Sequence, residues 1–121
     1  AIRIVEPSDP SRLREAVRAM GYRWVVFTSA NGVERFFAEV ERQERDARTL
    51  GGARVCAIGP ATDAALRARG VRADVVPDEY KGDGAAEAMI AAGDLAGERV
   101  LLPRAEVARD ALPNMLREAG A

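Results

Sequence analysis

Trp24-Val25-Val26-Phe27-Thr28-Ser29-Ala30-Asn31-Gly32-Val33 is the stretch that decides how this chain folds. Its first four residues are apolar without alternation, which is what a strand buried on both faces requires. Small and hydroxyl residues break the run. Apolar residues then return at helical spacing, with Val33, Phe36, Phe37 and Val40 on one face, and predict a helix from about Val33 to Arg48. Asn31 is placed to cap it, with Glu34 at capping-box spacing.

The same strand–turn–helix unit recurs on either side. Ile2-Arg3-Ile4-Val5 is a short β-branched run. Asp9-Pro10 follows as N-cap and first helical residue, and Leu13, Val17 and Met20 keep helical spacing until Gly21. Arg54 to Ile58 predicts a strand, Gly59-Pro60 a turn, and Ala61 to Arg69 a helix stopped by Gly70. Ala73 to Val76 predicts a further strand, then a loop from Pro77 to Gly84 and a helix to about Ala92. Arg99 to Leu102 predicts the last strand, and about Val107 to Ala119 the last helix. Strands alternating with helices through short connections mean right-handed βαβ units. The expected fold is a single α/β domain over residues 1–121. It is a flavodoxin-like, doubly wound parallel sheet of about five strands with helices on both faces.

Composition narrows the function. The 121 residues are 48% hydrophobic and 31% charged, with a net charge of -1, an ordinary soluble globular balance. With no histidine, the chain holds no Ser–His–Asp or Cys–His machinery and no His-ligated metal. A single cysteine, Cys56, excludes an intrachain disulfide, a CxxC pair and a chain-held iron–sulfur cluster. No apolar run approaches the roughly 18 residues of a membrane helix, and no signal peptide opens the chain, so a cytoplasmic location is expected. Lys81 is the only lysine among 18 basic residues, and acidic and basic residues interleave. No basic block exists to grip a phosphate backbone, and no nucleic-acid partner is expected. The chain begins on a strand and stops at a helix cap, Gly120-Ala121, which predicts a fragment of a larger protein.

In such a sheet, ligands bind outside the carboxyl ends of the strands. The loops there are Thr28 to Gly32, Gly59-Pro60-Ala61-Thr62, Tyr80-Lys81-Gly82-Asp83-Gly84 and Pro103-Arg104-Ala105-Glu106. Small residues at helix N-termini leave N–H groups open where the helix dipole favours anions. Lys81 and Arg104 add cations, so the edge reads as anion-binding. Each residue also has a plainer use: Ser29 and Asn31 as caps, Thr62 as a surface hydroxyl, Lys81 and Arg104 as solvated charges, Cys56, Trp24 and Phe27 as core. Tyr80 on its loop fits either use. Neither GxxxxGK[ST] nor GxGxxG follows any strand, and no acidic pair follows the first, which argues against nucleotide-binding and phospho-acceptor readings.

Four blocks carry a resemblance. They are Phe27 to Val33, Ala57 to Thr62 with Ala65-Leu66 and Gly70, Val76-Pro77 with Tyr80, and Val100 to Glu106 closing in Leu116 and Gly120-Ala121. In order and spacing they resemble uroporphyrinogen-III synthase over essentially the whole chain. The resemblance implies a monomeric enzyme of two similar α/β domains joined by two strands, with the active site in the cleft between them. This chain resembles the inserted second domain, so the missing first domain is its expected partner. The implied reaction closes the linear tetrapyrrole hydroxymethylbilane to uroporphyrinogen III, in haem biosynthesis, with loss of water, inversion of ring D and no metal or organic cofactor. By the same match Thr62 takes a catalytic place, hydrogen-bonding the leaving group or a ring nitrogen. Thr28, Ser29, Ala30 and Asn31 would hold substrate carboxylates, with Gly59, Pro60, Ala61, Tyr80, Lys81 and Arg104 completing the binding set. The family follows its last helix with a strand and a tyrosine-bearing segment that this sequence lacks. The 121-residue chain alone is therefore expected to be inactive. The competing class is a non-catalytic tetrapyrrole- or anion-binding sensor or scaffold module of the same fold.

Overall fold

The computed structural model describes residues 2–6, 9–77, 82–93, 95–103 and 112–121. In chain order the elements are β1 (Ile2–Val5), α1 (Pro10–Arg18), β2 (Trp24–Phe27), α2 (Ala30–Arg42) and a 3-10 turn (Ala47–Leu50). Then come β3 (Arg54–Ala57), α3 (Pro60–Ala68), α4 (Gly82–Ala92), β4 (Val100–Pro103) and α5 (Leu112–Glu118). Among the described residues, no helix is long and apolar enough to cross a membrane.

The strands form one parallel sheet in the order β1-β4-β2-β3. Alternate residues of each strand feed two separate cores, as the strand period of two dictates. Val25, Phe27, Val55, Ala57 and Leu101 pack on one face with Val17 of α1, Phe36 and Phe37 of α2 and Leu66 of α3. Trp24, Val26, Cys56, Val100 and Leu102 pack on the other with Met89 of α4 and Leu116 of α5. All four residues of β2 are fully buried, so the continuous apolar run had the cause assigned to it. Phe36 meets Phe27 and Phe37 edge-on, at centroid separations of 5.3 and 5.5 Å. That is the arrangement aromatic quadrupoles favour.

Two details depart from the sequence reading. The fifth strand, expected at Ala73 to Val76, is reduced to a single bridge between Cys56 and Val75. Asp74 is the reason. Its carboxylate Oδ2 accepts the Val55 N–H at 2.7 Å, taking the place of a strand carbonyl, while its own N–H donates to Val55 O. The helix expected from Val33 to Arg48 runs instead from Ala30 to Arg42. Glu44 then turns into the left-handed region at φ 57, and Gln43 ties the helix end to α1 through Arg14 O. Buried Glu39 holds the same corner, accepting from Arg42 at 2.6 Å and Gln43 at 2.9 Å. Of the last expected helix, about Val107 to Ala119, residues 107–111 lie outside the described residues, and α5 forms within the remainder as expected. Asp9 and Pro10 begin α1 as read, with the Asp9 carboxylate accepting the Arg12 N–H.

Burial in the second core pushes the Cys56 thiol up to about 12, from an ordinary value of 9.0. The sign follows directly. Between those two values the unfolded chain has released the thiol proton while the folded chain keeps it, so folding stability falls as pH rises through that window. The native chain should resist thiol-specific reagents at neutral pH and react only when unfolded. Urea titrations from pH 8 to 11 should show an alkaline loss of stability that a Cys56→Ala variant lacks. Rapid native labelling of Cys56 would contradict this placement.

Candidate functional site

The course of the chain across the sheet locates the site. α1, α2 and α3 lie on one face, and α4 and α5 on the other. β2 and β4 are neighbours, yet the helices that follow them leave to opposite faces. A crevice at the carboxyl ends of two such strands is the topological switch point, where open α/β sheets bind their ligands. The hydrogen-bonded register agrees. β2 pairs with β3 along all four residues, whereas its ladder with β4 covers only Trp24↔Val100 and Val25↔Leu101. The two strands are therefore unpaired at the ends where the site begins.

The loop after β2 supplies one wall. Thr28 is buried at 7% exposure, whereas Ser29 and Asn31 are exposed and Ala30 half-buried. Ser29, not Asn31, caps α2. Its backbone is extended and its Oγ accepts the Gly32 N–H at 3.0 Å, while Val33 N–H reaches Ser29 O. Asn31 lies inside the first turn, and Glu34 accepts from Arg69, at the C-cap of α3, in place of completing a capping box. With Ser29 as cap, Val33, Phe36, Phe37 and Val40 all point into the core. The N–H groups of Ala30 and Asn31 fall in the first turn, where no intrahelical acceptor exists.

The loop after β3 supplies the second wall and is bonded beside the first, since Ile58 N–H donates to Phe27 O at 3.0 Å. Gly59 begins α3 with φ 94 and ψ 155, a conformation that strains any side-chain-bearing residue. Its N–H is held by Pro77 O, and nothing lies within 4 Å of where a Cβ would stand, so the space in front of it is open. Pro60 and Ala61 are exposed. Pro60 lacks an N–H, and the Ala61 and Thr62 amides lie in the unpartnered first turn. Thr62 is not a surface hydroxyl. At 3% exposure it sits on the buried stripe of α3 with Leu66. Asp63, next in sequence, binds Arg67 through one carboxylate oxygen and buries the other without a partner.

Thr28, Ser29, Ala30, Asn31, Gly59, Pro60, Ala61 and Thr62 are thus brought to one edge, on adjacent loops. Tyr80, Lys81 and Arg104 lie outside the described residues. The sequence reading placed Gly32 in the loop before the helix and outside the binding set, whereas it is a buried residue of the first turn of α2. A Cβ there would stand 3.2 Å from Pro103 O and 3.3 Å from Ser29 Oγ, so α2 docks its first turn directly on the end of β4. A cavity of about 340 Å³ opens at the opposite end of the strands, beside Tyr22, Thr49, Gly52 and Glu98. It faces away from the switch point.

A family profile described as Uroporphyrinogen-III synthase HemD matches residues 1–121. The Porphyrin biosynthesis protein HemD of Ruminiclostridium josui is 33% identical over 100 residues, 79% of this chain and 19% of that protein. The Uroporphyrinogen-III synthase of Synechococcus elongatus is 30% identical over 122 residues, 99% of this chain and 45% of that protein. In structure, the chain superposes on uroporphyrinogen III synthase from Thermus thermophilus with a TM-score of 0.69 at 22% identity. That superposition covers 96% of this chain and 44% of the other. The chain therefore spans less than half the length of each of these proteins.

Gly59→Ala should cost about 1–3 kcal/mol of folding stability, because no other residue takes that φ and ψ without strain. Urea denaturation of the variant checks this, and an unchanged midpoint would refute the assigned geometry.

Proposed function

This chain belongs to the uroporphyrinogen-III synthase family, and we propose that it forms one of two α/β domains that together close hydroxymethylbilane to uroporphyrinogen III in haem biosynthesis. The observation that carries the reading is the pairing of two small-residue, hydroxyl-bearing loops at the switch-point edge of a chain matched by the family profile throughout. The domain is the inserted, second one of a cytoplasmic enzyme. Its partner is the first domain of the same protein, and the substrate lies between the two. No metal or organic cofactor enters the reaction.

The chemistry asks for little beyond positioning. The substrate is a flexible chain of pyrroles rich in carboxylates, and its ends must meet. Holding those carboxylates removes orientational entropy from the barrier. Ser29 uses one acceptor site for the Gly32 N–H and keeps its O–H to donate to a carboxylate. The Ala30, Asn31, Ala61 and Thr62 amides add donors at the positive ends of α2 and α3. Thr28, at the start of the first loop, joins Ser29 in holding substrate carboxylates. Gly59 and Pro60 leave open backbone for the substrate to approach, and Tyr80, Lys81 and Arg104 complete the carboxylate contacts.

Ring closure takes one proton and the terminal hydroxyl away as water. The cation that remains is attacked by the substituted position of ring D, and the resulting spiro intermediate rearranges with ring D inverted before a proton is lost. Thr62, buried in the first turn of α3, donates a hydrogen bond to the departing hydroxyl or accepts one from a ring N–H. A hydroxyl is too weak an acid for more than that.

The test generates hydroxymethylbilane in situ and reads type III against type I uroporphyrin after oxidation. The full-length polypeptide carrying this chain should give type III, and the 121-residue chain alone should give only the type I of spontaneous closure. Thr62→Ala in the full-length protein should slow type III formation by about 10²-fold. Type I alone from folded full-length protein refutes the enzyme reading. Type III from the isolated chain refutes the need for a second domain.

A further inference from the structure

We propose that the amino ends of the strands carry a further binding site, away from the switch-point edge, where Arg3, Tyr22 and Arg99 take the oxyanion of a small molecule. Arg3 lies on β1 and Arg99 just ahead of β4, its neighbour in the sheet. Each stands two positions before a residue of the first core, Val5 or Leu101, so both side chains leave toward the face that α1 covers. There they meet on one side chain. The Arg99 guanidinium carbon lies 4.4 Å from the centroid of the Tyr22 ring, and Arg3 Nη1 donates to the Tyr22 hydroxyl at 3.2 Å.

This grouping is unbalanced in charge and in hydrogen bonding. Among the described residues, neither Arg3 nor Arg99 pairs with a carboxylate, so two like charges gather without a counter-charge. Tyr22 is 3% exposed, and its hydroxyl accepts from a guanidinium, a group that only donates. The phenolic proton therefore has no acceptor among the described residues. Donors converge, and an oxyanion is the group that satisfies all of them, in the fork geometry guanidiniums favour. Arg3 spends one N–H on Tyr22 and keeps the rest, while stacking on the ring fixes Arg99 beforehand.

The cavity of about 340 Å³ that shares Tyr22 has the size of a small-molecule pocket. Thr49 and the backbone of Gly51 and Gly52 give its wall a polar character, and Glu98 stands on the same wall, already engaged. That carboxylate repels a second anionic group. The occupant is thus a molecule with one oxyanion, carboxylate or phosphate, and an uncharged polar body, rather than a polyanion.

The test is an NMR titration of the isotope-labelled 121-residue chain with inorganic phosphate and, separately, with acetate, sodium chloride holding the ionic strength constant. Signals of Arg3, Tyr22 and Arg99 should shift saturably, with a dissociation constant of about 1 mM for the better anion. The preferred anion identifies the ligand group as phosphate or carboxylate, and either preference supports the site. Arg99→Gln should weaken binding about tenfold, and Tyr22→Phe about fivefold. Shifts that never saturate, or that persist unchanged in Arg99→Gln, would overturn the proposal. Shifts confined to residues 28–32 and 59–62 would overturn it too, while leaving the reading of the switch-point edge intact. Should Tyr22→Phe fail to fold, Arg99→Gln decides alone, since Arg99 is exposed.

Discussion

A parallel sheet whose strands are apolar on both faces must be covered on both, and right-handed crossovers then dictate where each strand can lie. Successive strands linked by α1, α2 and α3 advance across the sheet with their helices on one face. The return to β4 must use the other face, and α4 is there. β4 lands between β1 and β2, and among the described elements the helix that follows it leaves to the face opposite those that follow both neighbours. The switch-point crevice follows from covering two faces with a chain of one handedness.

Burial on both faces also explains what could be read from the sequence. Trp24 to Phe27, Val55 to Ala57 and Val100 to Leu102 have no polar alternation because each residue enters one core or the other. Such runs are hard to mistake. Asp9-Pro10 and Gly59-Pro60 marked helix starts because a capping acid and a positive φ are local demands. The position of β4 was not legible, since it depends on contacts between residues nearly a hundred positions apart, such as Ile2 with Val100. Nor was the loss of the fifth strand. A carboxylate standing in for a carbonyl, as Asp74 does, leaves the β-branched pattern of Val75-Val76 untouched.

The site was legible in part for a related reason. Ser29 and Asn31 are both good cap residues, and local rules rank them alike. The choice fell to tertiary packing, because starting the helix at Ala30 turns Gly32 inward against Pro103 and Phe36 against Phe27. Thr62 was assigned through resemblance, and only the fold gives it the buried place beside Leu66. Residues on the loops of 28–32 and 59–62 could be grouped from their place after strands. Their adjacency required the β2–β3 pairing.

The charges of the chain clarify which donors this edge offers. Arginine is abundant, but several of the described guanidiniums are drawn into structural work. Arg69 bridges Glu34 and Glu41 while lying over Phe37, Arg42 holds Glu39, Arg48 holds Asp46, and Arg99 stacks on Tyr22. On the two described loops no side chain is cationic, and the nearest ionised group on α3 is the acid Asp63 with Arg67. Backbone amides and hydroxyls are what these loops offer. Such neutral donors hold a carboxylate by geometry more than by charge, and their strength depends on fixed orientation. In a site built from guanidinium side chains, a few tenths of an ångström would be absorbed by rotation about flexible bonds. Where the donors are a helix turn and one short hydroxyl, the same displacement must be taken up by the donors themselves.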